Sequence, residues 1–184
     1  MRLFISALLV LAGLAIAHQA FADDFAVTTT AFLDQGLLPT MYTCDGKNVS
    51  PELAFANPPA KTKSFAVVMT DPEAPNGTFY HWVIYNIPAA TTEIPEAATA
   101  LPKGALIGLN SWNKSNYGGP CPPKGTAHNY IITVYALDNA TSLPANAKAE
   151  NVLAAIKGHV LKSTTLTAKY SRWDSTKQEA SSAS

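Results

Sequence analysis

Residues 81–88 read HWVIYNIP, a run of aromatic and β-branched side chains that ends in proline. Apolar residues occupy both alternating faces of this run, which is typical of a strand covered on both sides. A second run of the same kind occupies residues 130–137. We predict that residues 79–87 and 130–137 form central strands of a layered β structure.

Shorter strands and one helix are predicted around these two runs. Three further strands are expected at residues 25–30, 64–70 and 166–171. Turns that contain proline and glycine separate the strands. Residues 147–161 have helical periodicity, with Val152, Ile156 and Val160 on one face. The pattern predicts a mainly β protein, a β-sandwich with a small peripheral C-terminal helix.

The N-terminus has the features of a secretory signal peptide. Arg2 precedes the uncharged apolar residues 3–17, and Ala20-Phe21-Ala22 provides the small residues that signal peptidase accepts. The apolar run is shorter than the about 20 residues that span a bilayer comfortably. We predict cleavage after Ala22, so that residues 1–22 are removed and the protein is exported, either periplasmic or secreted. An uncleaved anchor is the alternative.

The remaining chain has the size of one domain and carries little net charge. Residues 23–176 are predicted to form a single domain, and residues 177–184 a disordered polar tail. The chain has 13 basic and 13 acidic residues, with a formal net charge of zero. Nucleic-acid binding and attraction to an anionic membrane need clustered basic residues, so we expect neither, and no stable membrane insertion after cleavage. A monomer or weak dimer is the default expectation.

The chain has two cysteines, Cys44 and Cys121. In an oxidising compartment an even number of cysteines favours a disulfide. Closing a loop of this length would stabilise the fold by roughly 4 kcal/mol in the chain-entropy model. The alternative is two small buried thiols that never meet.

A proline-flanked acidic segment, DPEAP, begins at Asp71 directly after a predicted strand. Asp71 is in phase with Phe65, Val67 and Met69, which places it at the end of the inward face of that strand. The flanking prolines restrict the backbone, as a fixed binding loop requires. An ordinary capped turn is the alternative interpretation.

Two histidines are candidates for a polar site. By simple alternation His81 is in phase with Val83 and Tyr85, which places it among apolar neighbours. It could therefore equally be a core histidine whose ring N–H donates a hydrogen bond to a carbonyl. His128 and Tyr130 share a face of their strand. The glycine-rich segment YGGPCPP at residues 117–123 precedes them, and its backbone N–H groups could form a nest, a concave group of free amides that binds an anion.

Four segments together resemble one known family. They are YTCDG from Tyr42, DPEAP from Asp71, HWVIYNIP from His81 and YGGPCPPKGTAHNY from Tyr117. In this order and spacing they are similar to the phosphatidylethanolamine-binding proteins, and most closely to their bacterial Raf-kinase-inhibitor-like branch. The similarity covers nearly all of the chain after the signal peptide.

The resemblance implies a Greek-key β-sandwich with a small pocket at one end of the sheet. In the family this pocket takes phosphate, acetate-like anions or a phosphoethanolamine headgroup, and no cofactor. The implied ligand-binding residues are Asp71, His81, His128 and Tyr130, with Gly119, Pro120 and Cys121 closing one side. Glu73 stands where the family usually has aspartate, which makes its place in the pocket less certain.

Histidine is the side chain whose charge changes near neutral pH, so a pocket with two histidines would bind an anion in a pH-dependent way. Charge-assisted hydrogen bonds from protonated imidazoles would hold the anion, and we expect binding to weaken as the pH rises through the histidine titration. In eukaryotic relatives the family inhibits kinases or proteases. The resemblance therefore also implies that a partner protein could be modulated, but the sequence does not identify that partner.

Two other functions use the same residues. A hydrolase acting on a phosphoester or acyl substrate could use the histidines as acid and base, with Cys121 and His128 as a thiolate pair. However, the chain lacks a G-x-S-x-G nucleophile motif, and a disulfide at Cys121 would remove the thiolate. Asp71, His81 and His128 could also be metal ligands, but no short histidine spacing supports this. We therefore predict neither catalysis nor a metal site.

Overall fold

The computed structural model describes residues 24–173, so the predicted signal peptide and the predicted tail lie outside the described residues. The described part of the chain contains nine strands and one α-helix. They are β1 (Ala26–Thr28), β2 (Gly36–Leu37), β3 (Leu53–Ala56), β4 (Ser64–Asp71), β5 (Phe79–Pro88), β6 (Glu93–Ile94), β7 (Leu106–Ile107), β8 (Ala127–Leu137), α1 (Ala149–Ile156) and β9 (Val160–Ser171). The predicted mainly β fold with one helix is confirmed.

The strands form two sheets. The larger sheet has the order β2-β9-β8-β4-β5-β7, and the smaller has the order β1-β3-β6. Neighbouring strands are antiparallel except for β2 and β9, which pair in parallel. The chain passes from β5, on one side of β4, to β8 on the other. The two runs predicted as central, β5 and β8, therefore lie on either side of β4 in the larger sheet.

Each face of the larger sheet is covered by a different layer. Along β4, Phe65 and Val67 face the smaller sheet, where Phe25 and Phe55 lie against the Phe65 ring at centroid distances of 5.9 and 5.1 Å. Val68, the next residue along β4, points to the opposite face of the sheet, which the helix covers. Full burial of such side chains contributes about 1.5–3 kcal/mol each, so both layers stabilise the sheet.

The helix is shorter than the periodicity predicts. Val152 and Ile156 are buried against the larger sheet, as expected, but α1 ends at Ile156. Val160 was predicted on the buried helical face and instead begins β9, where it pairs with Leu137 and is 39% exposed. The long antiparallel pairing with β8 provides hydrogen-bond partners for the backbone N–H and C=O groups of this polar segment. This tertiary contact overrides the local preference for a helix.

A β-bulge changes the direction of His81. Met69 pairs with Trp82, and Thr70 pairs with Tyr80, so His81 is an extra residue in β5. A bulge shifts the alternation of a strand and re-aims the side chain at that point. The expected phase of His81 with Val83 is therefore wrong: the His81 ring lies on the other side of the sheet from the helix.

Cys44 and Cys121 are bonded in a disulfide, which confirms the predicted pairing. Their Cα atoms are 5.4 Å apart although the cysteines are separated by 77 positions in the chain. The alternative of two separate buried thiols is wrong. Within residues 24–173, no helix has the length and apolar character needed to cross a membrane.

Candidate functional site

A cavity of about 550 Å³ lies at one end of the larger sheet. Because β4 runs antiparallel to β5 and β8, its end lies beside the first residue of β5 and near the first few residues of β8, where Thr70 pairs with Ile131. This topology brings together the polar side chains predicted from three separate segments. Five of the predicted residues line the cavity, namely Asp71, His81, Cys121, His128 and Tyr130.

Asp71 and His128 form a buried pair in this cavity. Asp71 Oδ2 is 2.7 Å from His128 Nδ1, and each side chain is 6% exposed. The other carboxylate oxygen accepts the backbone N–H of Glu73 at 2.9 Å. Since an ionised carboxylate can only accept, the His128 Nδ1 atom carries the proton, and Nε2 is left for another partner.

His81 is held by the glycine-rich segment. Its Nδ1–H donates to the Gly118 carbonyl at 2.7 Å, and the Gly118 N–H donates to the His81 carbonyl at 3.0 Å. Burial lowers the pKa of His81, while the carbonyls of Gly118 and Gly119 and the charge of Asp71 act in the opposite direction. Burial is the largest of these effects, so the neutral imidazole is favoured.

Tyr130 lies beside both imidazoles. Its ring centroid is 5.2 Å from that of His81 and 6.4 Å from that of His128. The hydroxyl is buried and has no hydrogen-bond partner among the described residues. Burial, together with the nearby Asp71 carboxylate, raises the pKa of Tyr130, so the phenol keeps its proton. The Tyr130 hydroxyl is therefore a donor close to the Asp71 carboxylate but without a well-formed hydrogen bond to it.

An aromatic wall of the cavity, made by Phe79 and Trp112, escaped the sequence analysis. The two rings are 4.6 Å apart, and Trp112 is 5.3 Å from His81. Trp112 is 43% exposed and lies in a polar turn. An isolated tryptophan among Ser, Asn and Lys residues is the sequence feature that could have identified it. Phe79 was predicted only as a strand residue.

A family model described as phosphatidylethanolamine-binding protein matches residues 28–171. The chain belongs to this family. The family expected from the four motifs is thus confirmed. Relatives of the chain include a UPF0098 protein of Methanothermobacter thermautotrophicus, 44% identical over 147 residues, which cover 78% of this chain and 97% of the relative. The UPF0098 protein YbhB of Escherichia coli is 41% identical over 133 residues, covering 69% and 84%.

Solved structures of the phosphatidylethanolamine-binding protein family share the fold. The crystal structure of Escherichia coli YbcL, described as a new member of the mammalian family, superimposes with a TM-score of 0.77 at 33% identity, covering 81% of this chain and 99% of YbcL. A family homologue from Chlamydia trachomatis gives a TM-score of 0.73 at 31% identity, with coverage of 79% and 96%.

The glycine-rich segment does not form the expected nest. The Gly118 N–H donates to His81, and the Gly119 N–H donates to Asn48 Oδ1 at 2.7 Å. Pro120 has no N–H, and its carbonyl accepts from Cys44 at 3.1 Å. Gly119 and Pro120 are buried but do not line the cavity. The expectation of free amides at Gly118 and Gly119 is wrong, because both amides fix the segment in place.

Glu73 supports the acidic loop from outside the cavity. Its carboxylate accepts the backbone N–H of Asn129 and, at 3.1 Å, the Asn129 side chain. These contacts tie the loop after β4 to the start of β8. The longer arm of glutamate, compared with the usual aspartate of the family, reaches the neighbouring strand.

Arg172 lines the cavity from the end of the last strand and was not predicted. Its Nη2 atom is 2.9 Å from Asp45 Oδ1, so its charge is already paired. The Arg172 hydrogen bond is the main cause that lowers the pKa of Asp45. Within residues 24–173, no group of three or more His, Cys, Asp or Glu side chains is placed to hold a metal ion.

Proposed function

We propose that this protein is exported and binds a small anion, the phosphoryl group of a phosphorylated headgroup, in the cavity between Asp71, His81, His128 and Tyr130. In this proposal the protein is a binding module, and it does not carry out chemistry on its ligand. The family description supports a phosphorylated ligand, and a cavity of about 550 Å³ has room for a small one.

One observation carries the proposal: the buried hydroxyl of Tyr130, which lies beside two imidazoles, has no well-formed hydrogen bond within the described residues. The side-chain hydrogen bonds of His81 and His128 within the same residues are made at Nδ1, which leaves their Nε2 atoms available to a ligand. Buried polar groups are almost always hydrogen-bonded, so such a cluster is expected to be satisfied by water or a ligand. A phosphoryl group offers several acceptor oxygens within one small volume.

The residues around the cavity give little support to catalysis. Cys121 is bonded to Cys44 and cannot act as a thiolate. Ser111 also lines the cavity, but its hydroxyl accepts the Tyr80 N–H at 2.9 Å, and no histidine is hydrogen-bonded to it in the described chain. A serine nucleophile needs an adjacent general base to become reactive.

Export is supported by the N-terminal sequence and is compatible with the disulfide. Disulfides persist in oxidising compartments and are rare where thiols are kept reduced. Fractionation of cells that express the full chain would test this part of the proposal. We expect the protein in the exported fraction with an N-terminus at Asp23, and recovery of the uncleaved chain in the cytoplasm would contradict it.

Calorimetric titration with inorganic phosphate and with phosphoethanolamine tests the binding function. We expect His128→Ala to weaken binding at least about tenfold, because it removes one polar side chain of the cavity and leaves the buried Asp71 carboxylate without its partner. His159→Ala is a matched control, since His159 Nδ1 contacts Asp138 at 2.8 Å in a similar pair outside the cavity. Equal affinities of both variants and the original protein would contradict the proposal.

A further inference from the structure

The Nδ1 contacts of the two histidines fix which ring nitrogen is left for a ligand. The Gly118 carbonyl can only accept, so His81 Nδ1 carries a proton. A neutral imidazole with a proton on Nδ1 has a lone pair on Nε2. His81 therefore presents an acceptor to the cavity as long as it is neutral, which is the opposite of what an anion requires.

The surroundings of His81 favour this neutral form. The residue is 3% exposed and packs against the rings of Phe79, Trp112 and Tyr130. Its hydrogen bond goes to an uncharged carbonyl. The charged or titratable groups that act on it are Asp71, which favours the proton, and His128, which opposes it, and burial outweighs the carboxylate.

His128 has a different partner. Its Nδ1–H contacts the Asp71 carboxylate at 2.7 Å, and a second proton on this ring would complete a buried ion pair. If this ring takes up a second proton, its Nε2–H becomes a donor to the cavity. The Tyr130 hydroxyl, which lies beside both imidazoles, is a donor in the same place. The lining thus combines an acceptor, His81 Nε2, with a donor, the Tyr130 hydroxyl.

We propose that the cavity selects a phosphoryl group that itself carries a proton, as a phosphate monoester monoanion does, over a phosphodiester. The P–OH group would donate to His81 Nε2, and the unprotonated oxygens would accept from the Tyr130 hydroxyl and from His128 when Nε2 of that ring carries a proton. A diester has no P–OH and would leave the His81 acceptor unpaired. This inference rests on the proposed function and names the ligand class of the same site.

Calorimetric titration at pH 5.5 with phosphoethanolamine, a monoester, and glycerophosphoethanolamine, a diester, tests the inference. We expect the monoester to bind at least about tenfold more tightly, the usual effect of one unpaired buried polar group. The monoester should also lose affinity between pH 5.5 and 7.5, because its second proton dissociates near pH 6. Equal affinities for the two esters would overturn the inference and leave the proposed function standing. Binding of neither ester nor inorganic phosphate would overturn both.

Short-chain lipids distinguish the source of the phosphoryl group. Dihexanoyl phosphatidic acid is a monoester, and dihexanoyl phosphatidylethanolamine is a diester. Preference for phosphatidic acid supports the inference with a lipid as the source, and binding of free monoesters alone supports it with a soluble source. Preference for the phosphatidylethanolamine would overturn it.

His81→Phe removes the acceptor and keeps a ring of similar shape. We expect the affinity ratio of monoester to diester to fall to about one, whereas His159→Phe keeps the original ratio. Because the change at His81 could disturb folding, nitrogen NMR of the unaltered protein gives a second test. We expect His81 Nε2 to stay unprotonated in the phosphoethanolamine complex at pH 5.5, and a fully protonated His81 ring would contradict the inference.

Discussion

At the scale of single residues, the protein contains two histidine–aspartate pairs with nearly the same geometry. The Nδ1–Oδ distances are 2.7 Å for His128 and Asp71 and 2.8 Å for His159 and Asp138. The side chains of the first pair are 6% exposed, whereas those of the second are 47% and 46% exposed. Water screens the outer pair but not the inner one, so equal contacts have unequal energetic weight.

Replacing the acid of each pair should show this difference. We expect Asp71→Asn to lower the free energy of unfolding by about 2–4 kcal/mol, because it breaks a buried pair and leaves polar atoms unsatisfied. Asp138→Asn should lower it by less than about 1 kcal/mol. Urea unfolding monitored by circular dichroism measures both, and similar losses for the two variants would contradict the expectation.

The buried His81 should make stability depend on pH. Burial lowers its pKa in the folded protein, so the unfolded chain binds the proton first, near pH 6.5. The neutral ring contributes stability above about pH 6.5, and this contribution is lost as the pH falls below it. We expect His81→Phe to flatten the fall in unfolding free energy between pH 7 and 5. An unchanged slope in urea unfolding across that range would disprove this.

At the scale of elements, the alternation of residues predicts most strands but misses the bulge in β5. The His81 side chain could lie on the same face of the sheet as Val83 or on the same face as Trp82. Which of the two it takes depends on the pairing with β4, where Met69 lies opposite Trp82. That pairing is a register between two separate strands, so the alternation within either strand does not specify it. The helical periodicity through Val160 was misleading for a similar reason, because Val160 pairs with Leu137 of another strand.

The glycine-rich segment shapes the aromatic wall through one close approach. A Cβ atom on Gly118 would lie 2.3 Å from Trp112 Cζ3, while one on Gly158 would meet nothing within 4 Å. We expect Gly118→Ala to displace the Trp112 ring, change the tryptophan fluorescence and cost about 1–3 kcal/mol through overpacking. Gly158→Ala should leave both quantities nearly unchanged. Fluorescence spectra and urea unfolding measure the effects, and an undisturbed spectrum for Gly118→Ala would contradict this interpretation.

At the scale of the whole molecule, the family motifs predicted which segments matter, and the strand topology explains why they meet. Asp71 is the last residue of β4, and His128 lies in β8, which pairs with β4. Contributions from elsewhere were harder to predict: Trp112 comes from a turn and Arg172 from the end of the last strand. Neither lies in a motif with periodicity, so only the assembled fold brings them to the cavity.

Both faces of the larger sheet are covered by other layers, which restricts where such a protein can change its ligand preference. The smaller sheet occupies one face and α1 the other, so the end of the sheet is where side chains reach a ligand without disturbing the layers. The turn at residues 74–78 lines the cavity and is mostly exposed, so it can change between relatives while the interior keeps its packing. Ligand preference can therefore evolve at this turn with little effect on the packed layers, and loop grafting there is a practical route to new specificities on this scaffold.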